Sequence, residues 1–169
     1  MKRLTIVPAI FLLALFSLNC EKDDICDPNT ATTPKLVIQF YDATNPTVLK
    51  NVTQLSITSE GLADPVGVYN GVSTVELPLK TTDDLTQYTF VLNSTDAATD
   101  NTDRVDFSYT RNNVFVSRAC GYKTLFTFAD TNPILRTDAA VPDGLWIQNI
   151  TVNQPNIENE DETHVNIYF

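Results

Sequence analysis

The chain has 169 residues, with 21 acidic and 11 basic side chains and a formal net charge of −10. That length suffices for one domain with a real core. The acidity argues strongly against nucleic acid or anionic lipid as a partner, since both require a positive face.

The chain opens on a short basic start, Met1-Lys2-Arg3, followed by Leu4 to Leu18, apolar apart from Thr5 and Ser17 and broken only by Pro8. A basic start and an apolar stretch of roughly 7–15 residues define a secretory signal peptide. A spanning helix needs about 20 apolar residues, and this run stops short at Asn19. A buried amphipathic helix is the competing reading, but the run is apolar on every side. No small-residue cleavage site of the ordinary secretory kind follows. Instead Phe16-Ser17-Leu18-Asn19-Cys20 resembles a lipobox, in which Cys20 receives diacylglycerol and becomes the new N-terminus. Ser17 and Leu18 depart from that pattern, which favours Leu and then a small residue, whereas Asn19 fits it. The alternative is a plain thiol at the end of a signal peptide. Removing residues 1–19 leaves 150 residues (169 − 19) with 9 basic and 21 acidic side chains, a net of −12.

With lipid on Cys20, Cys26 and Cys120 remain as an even pair in a compartment where disulfides persist. A bridge between them would close a loop of about 100 residues, worth at most about 4–5 kcal/mol in the chain-entropy model. Two free thiols are the alternative, but Cys26 lies in a polar stretch, and an exposed thiol is a liability in an oxidising setting. Residues 20–34 hold two prolines and almost nothing apolar, so they read as a flexible tether, with one domain over 35–169.

From Lys35 onward the chain reads as short β runs. Leu36–Tyr41 places Leu36, Ile38 and Phe40 on one face, and Leu55–Thr58 alternates behind it. Val75–Leu79 does the same with Val75, Leu77 and Leu79, and Pro78 predicts an edge position. Tyr88–Leu92 points Tyr88, Phe90 and Leu92 inward. Val105–Tyr109 is strictly period-2, with Asp106 and Ser108 outward. Val114–Ser117 and Tyr122–Phe128 flank Cys120-Gly121, and Trp146–Val152 and His164–Phe169 follow. About nine strands at intervals of 10–20 residues, rich in Thr, Val, Ile, Phe and Tyr, predict an all-β fold. The expected form is an antiparallel β-sandwich of Ig-like or Greek-key type, with a small β-barrel as the alternative. The last strand is expected to be paired in a sheet.

Little chemistry stands out. His164 is the sole histidine, and alternation from Val165, Ile167 and Phe169 places it at the surface, so no triad or histidine zinc site is expected. Acids cluster at Asp96, Asp100, Asp103 and Asp106 and again at Glu158, Glu160, Asp161 and Glu162. Neither cluster has calcium-loop spacing, and the first lacks the turn glycine, so solvated loops are expected. Five glycines make no phosphate loop, and no cofactor is called for. Trp146 is expected in the core or at its rim, with a sugar-stacking platform as the alternative. We expect no catalytic residues. The function expected is a non-catalytic binding or envelope-assembly module, with an outer-membrane protein as a possible partner. The alternative is a glycan hydrolase using carboxylates such as Asp103 and Asp106.

Two resemblances add location. Lys22-Asp23-Asp24, one residue beyond Cys20, resembles the export signal of Bacteroidetes lipoproteins, which implies the outer face of the outer membrane. The alternatives are a merely acidic tether and the periplasmic face. The mature chain is similar to DUF6452, a Bacteroidetes family of small lipoproteins of unknown function. Asp24-Ile25-Cys26, Thr33–Asp42, Ser117–Gly121 and Glu160–Phe169 carry that similarity. It supports the location and the β fold and is silent on mechanism, while the palmitate expected on the protein comes with the lipid on Cys20.

Overall fold

The computed structural model describes residues 25–169. The expected signal peptide (1–19), Cys20, and Lys22, Asp23 and Asp24 therefore lie outside the described residues. The described chain divides into two compact units, residues 31–114 with 123–169, and residues 25–30 with 115–122.

Eleven strands and no helix are present among the described residues: β1 (Leu36–Tyr41), β2 (Leu55–Ser59), β3 (Gly67–Tyr69), β4 (Thr74–Leu77), β5 (Leu85–Leu92), β6 (Asn101–Ser117), β7 (Gly121–Phe128), β8 (Ile134–Asp138), β9 (Asn149–Val152), β10 (Asn156–Ile157) and β11 (Val165–Tyr168). They form two sheets, one ordered β4-β1-β11-β9 and the other β10-β7-β6-β5-β2-β3, with β8 pairing β6. This is a β-sandwich, and neither sheet closes into a barrel.

Period-2 alternation supplies both inner faces. Leu36, Ile38, Phe40, Leu77 and Ile167 of the first sheet are fully buried, as are Leu55, Ile57, Phe90, Val105 and Phe107 of the second. Burying one such side chain contributes about 1.5–3 kcal/mol relative to leaving it in water. Tyrosine hydroxyls tie the exit of β4 to the second sheet. Tyr88 donates to the carbonyl of Pro78, and Tyr109 donates to the carbonyl of Lys80 at 2.9 Å. With its ladder partner on one side only, β4 occupies the edge that Pro78 predicts.

Several features differ from the sequence reading. The first sheet is mixed, because β11 pairs β1 in parallel, Ile38 opposite Val165 and Phe40 opposite Ile167, and pairs β9 antiparallel. Hydrophobic alternation marks which face is buried and carries no information on strand direction. The runs at 105–109 and 114–117 are one 17-residue strand, β6. Exposed Thr110, Arg111, Asn112 and Asn113 interrupt the apolar pattern without interrupting the ladder. Strands β3 and β10 are too short to show a period. On β8 the half-buried positions include Arg136 and Asp138, which disguise its inward face.

His164 is a correction. It is buried, at 1% exposure. The strand β11 begins only at Val165, so the alternation used to place His164 outward does not extend to it. Its imidazole does backbone work instead. The N–H of Val37 donates to His164 Nδ1 at 2.9 Å, and the N–H of His164 donates to the carbonyl of Val37 at 3.0 Å. The ring thus closes the mouth of the parallel β1–β11 ladder. Burial pushes the His164 pKa below its ordinary value, although the charges of Glu162 and Glu160 oppose this. A histidine depressed in the fold contributes stability above its unfolded pKa of about 6.5, and that stability is lost as pH falls through this range.

His164→Ala leaves the Val37 N–H without a partner and is expected to cost about 1–3 kcal/mol at pH 7.5. The cost should shrink below pH 6, where the parent bears its own protonation penalty. Urea unfolding at both pH values measures this, and an equal or larger cost at the acid end contradicts the assignment.

Candidate functional site

The most unusual polar group of the larger unit is Asp103. Alternation along β6 that turns Val105, Phe107 and Tyr109 inward also turns Asp103 inward, and it is completely buried. Its Oδ2 accepts the N–H of Ile147 at 2.7 Å. Its Oδ1 is buried without a partner, as is Oδ1 of Asn101. Arg136 on β8 donates to the carbonyl of the same Ile147, so the peptide groups on both sides of that residue are held. Asp138, paired with Asp103 across the β6–β8 ladder, accepts the N–H groups of Ala139, Asp143 and Gly144. Asp143 in turn accepts the N–H of Thr102 at 2.9 Å. Gly144 meets this turn with a left-handed φ of 91°. The carboxylates therefore shape the 139–148 loop that carries the chain from β8 to β9. Trp146 belongs to the same loop and is 8% exposed, its indole N–H directed at the carbonyl of Phe90.

Burial raises the Asp103 pKa to about 6, with Asp138 and Asp143 adding to the rise, while the Ile147 N–H and Arg136 oppose it. Burial also opposes ionisation of Asp138, yet its three N–H donors and its hydrogen bond with Asp143 hold that carboxyl below its ordinary value. The two acids are driven apart in acidity, but both are occupied in holding backbone.

The acids singled out in the sequence do not converge. Asp103 and Asp106 differ by an odd number of residues along one strand and so face opposite sides of the sheet. Asp106 is half-buried, accepts the side-chain N–H of Gln87 at 3.0 Å, and lines a depression of about 90 Å³ with Glu60 and Arg104. Ligand pockets start at about 300 Å³. Asp96 is spent on its own turn, accepting from the N–H of Ala98 and the hydroxyl of Thr99. Glu160 accepts the N–H of Lys35, and Glu162 accepts from Gln154. Among the described residues no group of three or more His, Cys, Asp or Glu side chains is arranged to hold a metal ion.

The smaller unit has a different character. Cys26 and Cys120 form a disulfide across 94 residues of sequence, with Cα atoms 4.9 Å apart. Cys120 closes the β6–β7 turn, Arg118-Ala119-Cys120. Its N–H donates to the hydroxyl of Ser117 at 3.0 Å, and Gly121 follows with a left-handed φ of 73°. A turn followed by a left-handed glycine is a common way to join two antiparallel strands. Beside it, Phe115 and Tyr122 meet edge to face with ring centroids 5.4 Å apart, yet remain 56% and 70% exposed. Ile25, Asp27, Ser117, Arg118 and Cys120 line an open depression of about 410 Å³. In the sequence Phe115 and Tyr122 read only as strand residues. Their exposure could not be foreseen, because the alternation that would bury them lapses at Arg111-Asn112-Asn113.

Residues 51–169 match DUF6452, a family of unknown function. The chain belongs to that family. The DUF6452 match spans both Asp103 and the β6–β7 turn with Cys120, whereas Cys26 precedes it. Comparison with curated proteins and with solved structures returns no match.

Two outcomes follow. Because Asp103 is raised in the fold from about 3.8, its contribution to stability is fully present below pH 4 and is lost as pH rises through about 6. Asp103→Asn keeps an acceptor for Ile147 without the buried charge. It should exceed the parent in stability by about 1–3 kcal/mol at pH 8 and match it near pH 4. Denaturant titrations at the two pH values decide this, and a variant no more stable at pH 8 contradicts it. Replacing Cys26 and Cys120 together with Ala should cost about 2–5 kcal/mol. Non-reducing peptide mapping of protein quenched in acid should recover the linked pair, and free alkylation of both thiols contradicts it.

Proposed function

We propose that this chain is an exported lipoprotein, anchored by lipid on Cys20 in the outer membrane and displayed at the cell surface, where it serves as a non-catalytic binding or envelope-assembly module. The observation that carries the reading is the disulfide between Cys26 and Cys120. A disulfide of this kind persists in oxidising compartments, so it agrees with the basic-apolar start at 1–19. It stands only six residues after Cys20, where a mature lipoprotein would leave the membrane. Lys22, Asp23 and Asp24 then fall between the anchor and the first fixed point of the chain, where sorting machinery can reach them.

The reading as a binding module rests on how the polar groups are used. The buried carboxyl of Asp103 is committed to the Ile147 peptide, and Asp106 faces the other side of the sheet. A glycoside hydrolase needs two carboxyls roughly 5–10 Å apart across one cleft, and no observation favours that alternative. A partner in the outer membrane fits a rigid acidic body on a short tether, since its charge keeps it soluble and discourages indiscriminate association.

Cys20→Ser is expected to abolish incorporation of radiolabelled palmitate and to release the protein or leave it uncleaved, whereas a labelled Cys20→Ser protein refutes the anchor. Protease added to intact cells should digest the parent. Changing Lys22, Asp23 and Asp24 together to Ala should protect it without altering folding. A parent that is cleaved only after lysis belongs on the periplasmic side.

A further inference from the structure

We propose that the end of the β6–β7 hairpin is a membrane-contacting foot, with Phe115, Tyr122 and Arg118 seated in the phosphate headgroup layer of the bilayer that holds the lipid on Cys20. The proposal rests on the anchored reading and adds to it a lipid-contacting surface.

Chain length makes the first argument. Cys20 and Cys26 are six residues apart, and six residues span at most about 20 Å when fully extended. The disulfide passes this restraint on to Cys120. Without it, Cys120 would be linked to the anchor only through the whole folded chain from Cys26 onward. With it, the turn Arg118-Ala119-Cys120 and its flanking residues are held close to the membrane surface by covalent bonds alone. The disulfide converts a tether that would otherwise run to the start of β1 into a much shorter leash on one hairpin.

What that hairpin exposes makes the second argument. Phe115 and Tyr122 are the large aromatic side chains among the described residues of the smaller unit, packed on each other and more than half exposed. Ile25 is 84% exposed, next to Arg118 along the depression they both line. Exposed aromatic residues of this kind favour the membrane–water boundary, where an apolar ring and a polar tip are both satisfied. In water the same group would be an unexplained apolar patch.

Charge makes the third. From Phe107 to Ala129 the chain contains Arg111, Arg118 and Lys123 and not one acid, although the protein as a whole carries −10. Arg111 is paired with Asp84, but Arg118 is exposed at the turn. Of the acids on the anchoring side, Glu21, Asp23 and Asp24 belong to the tether with Lys22, and Asp27 is engaged in its own turn, accepting the backbone and side-chain N–H groups of Asn29. A basic side chain beside aromatic residues suits phosphate headgroups, each worth about 1 kcal/mol near an anionic surface. The overall acidity that argues against a lipid surface for the whole body does not apply to this stretch.

The test uses the full mature lipidated protein, reconstituted into vesicles of phosphatidylethanolamine and phosphatidylglycerol with brominated acyl chains. Tyr122→Trp places a reporter in the foot, and Leu135→Trp places one at an exposed position on β8. The buried Trp146 of the parent provides a common baseline, and recovery of the Cys26–Cys120 disulfide certifies folding. Emission from the Tyr122→Trp protein should be quenched at least threefold more than that from the Leu135→Trp protein. Equal and weak quenching in protein that floats with the vesicles overturns the foot while leaving the anchor intact, and would direct the aromatic pair to a protein partner instead. Protein that carries no lipid and does not float overturns the anchored reading itself.

Discussion

The first sheet exists because the last strand of the chain lies between the first strand and β9. Parallel pairing of β1 with β11 brings together residues nearly 130 positions apart, as the bond between Val37 and His164 shows, 127 residues distant in sequence. Without that pairing, β1 would keep only β4, and β9 would have no partner in the sheet. Ile38, Phe40 and Ile167 would then lose the continuous surface on which the second sheet rests. Loop closure over such a distance costs entropy before any contact is gained. The ladder therefore needs reinforcement at both ends, and it has it. His164 seals one end with an aromatic acceptor. At the other, Tyr41 stacks on Tyr168, and Lys50 lies over the ring of Phe169 while donating to its main-chain oxygen.

The two titratable groups buried deepest among the described residues, His164 and Asp103, answer the same problem. Each meets a backbone N–H where the chain leaves regular pairing, His164 before β11 and Asp103 opposite the loop entering β9. A buried N–H without an acceptor costs about 1–3 kcal/mol, so a titratable side chain at such a point is tolerated when it removes a larger penalty. The pH dependences of the two oppose each other. Acidification relieves Asp103 and penalises His164, so the two contributions partly offset each other as pH falls.

These two residues also mark the limit of what could be read in the sequence. Alternation identified the apolar inner faces of β1, β4, β5 and the first half of β6, because apolar side chains there repeat with period 2. Pro78 located an edge, because a proline has no N–H to donate to a ladder and is tolerated where none is needed. Partner choice and direction were not legible: nothing in Leu36–Tyr41 or Val165–Tyr168 distinguishes a parallel from an antiparallel neighbour. Asp103 shares its inward phase with Val105 and Phe107, yet as an acid it reads as a loop residue. Its role depends on where Ile147 arrives in space. The disulfide was legible for a different reason: two cysteines left over after one is set aside have only each other.

Net charge is an average, and in this chain the average conceals a stretch from Phe107 to Ala129 with three basic side chains and no acid. An acidic body is repelled by an anionic surface at ranges up to the Debye length, about 8 Å at physiological salt. A lipid anchor alone would leave such a body drifting at the end of its tether. On the anchored reading, the disulfide would bring a hairpin that carries Phe115, Arg118 and Tyr122 and no acid to the anchoring end of the chain, beside the tether acids Glu21, Asp23 and Asp24. The bond between Cys26 and Cys120 then does more than close a loop. On the anchored reading it would select which surface of an otherwise repelled protein faces the lipid, and so which surfaces stay free for a partner.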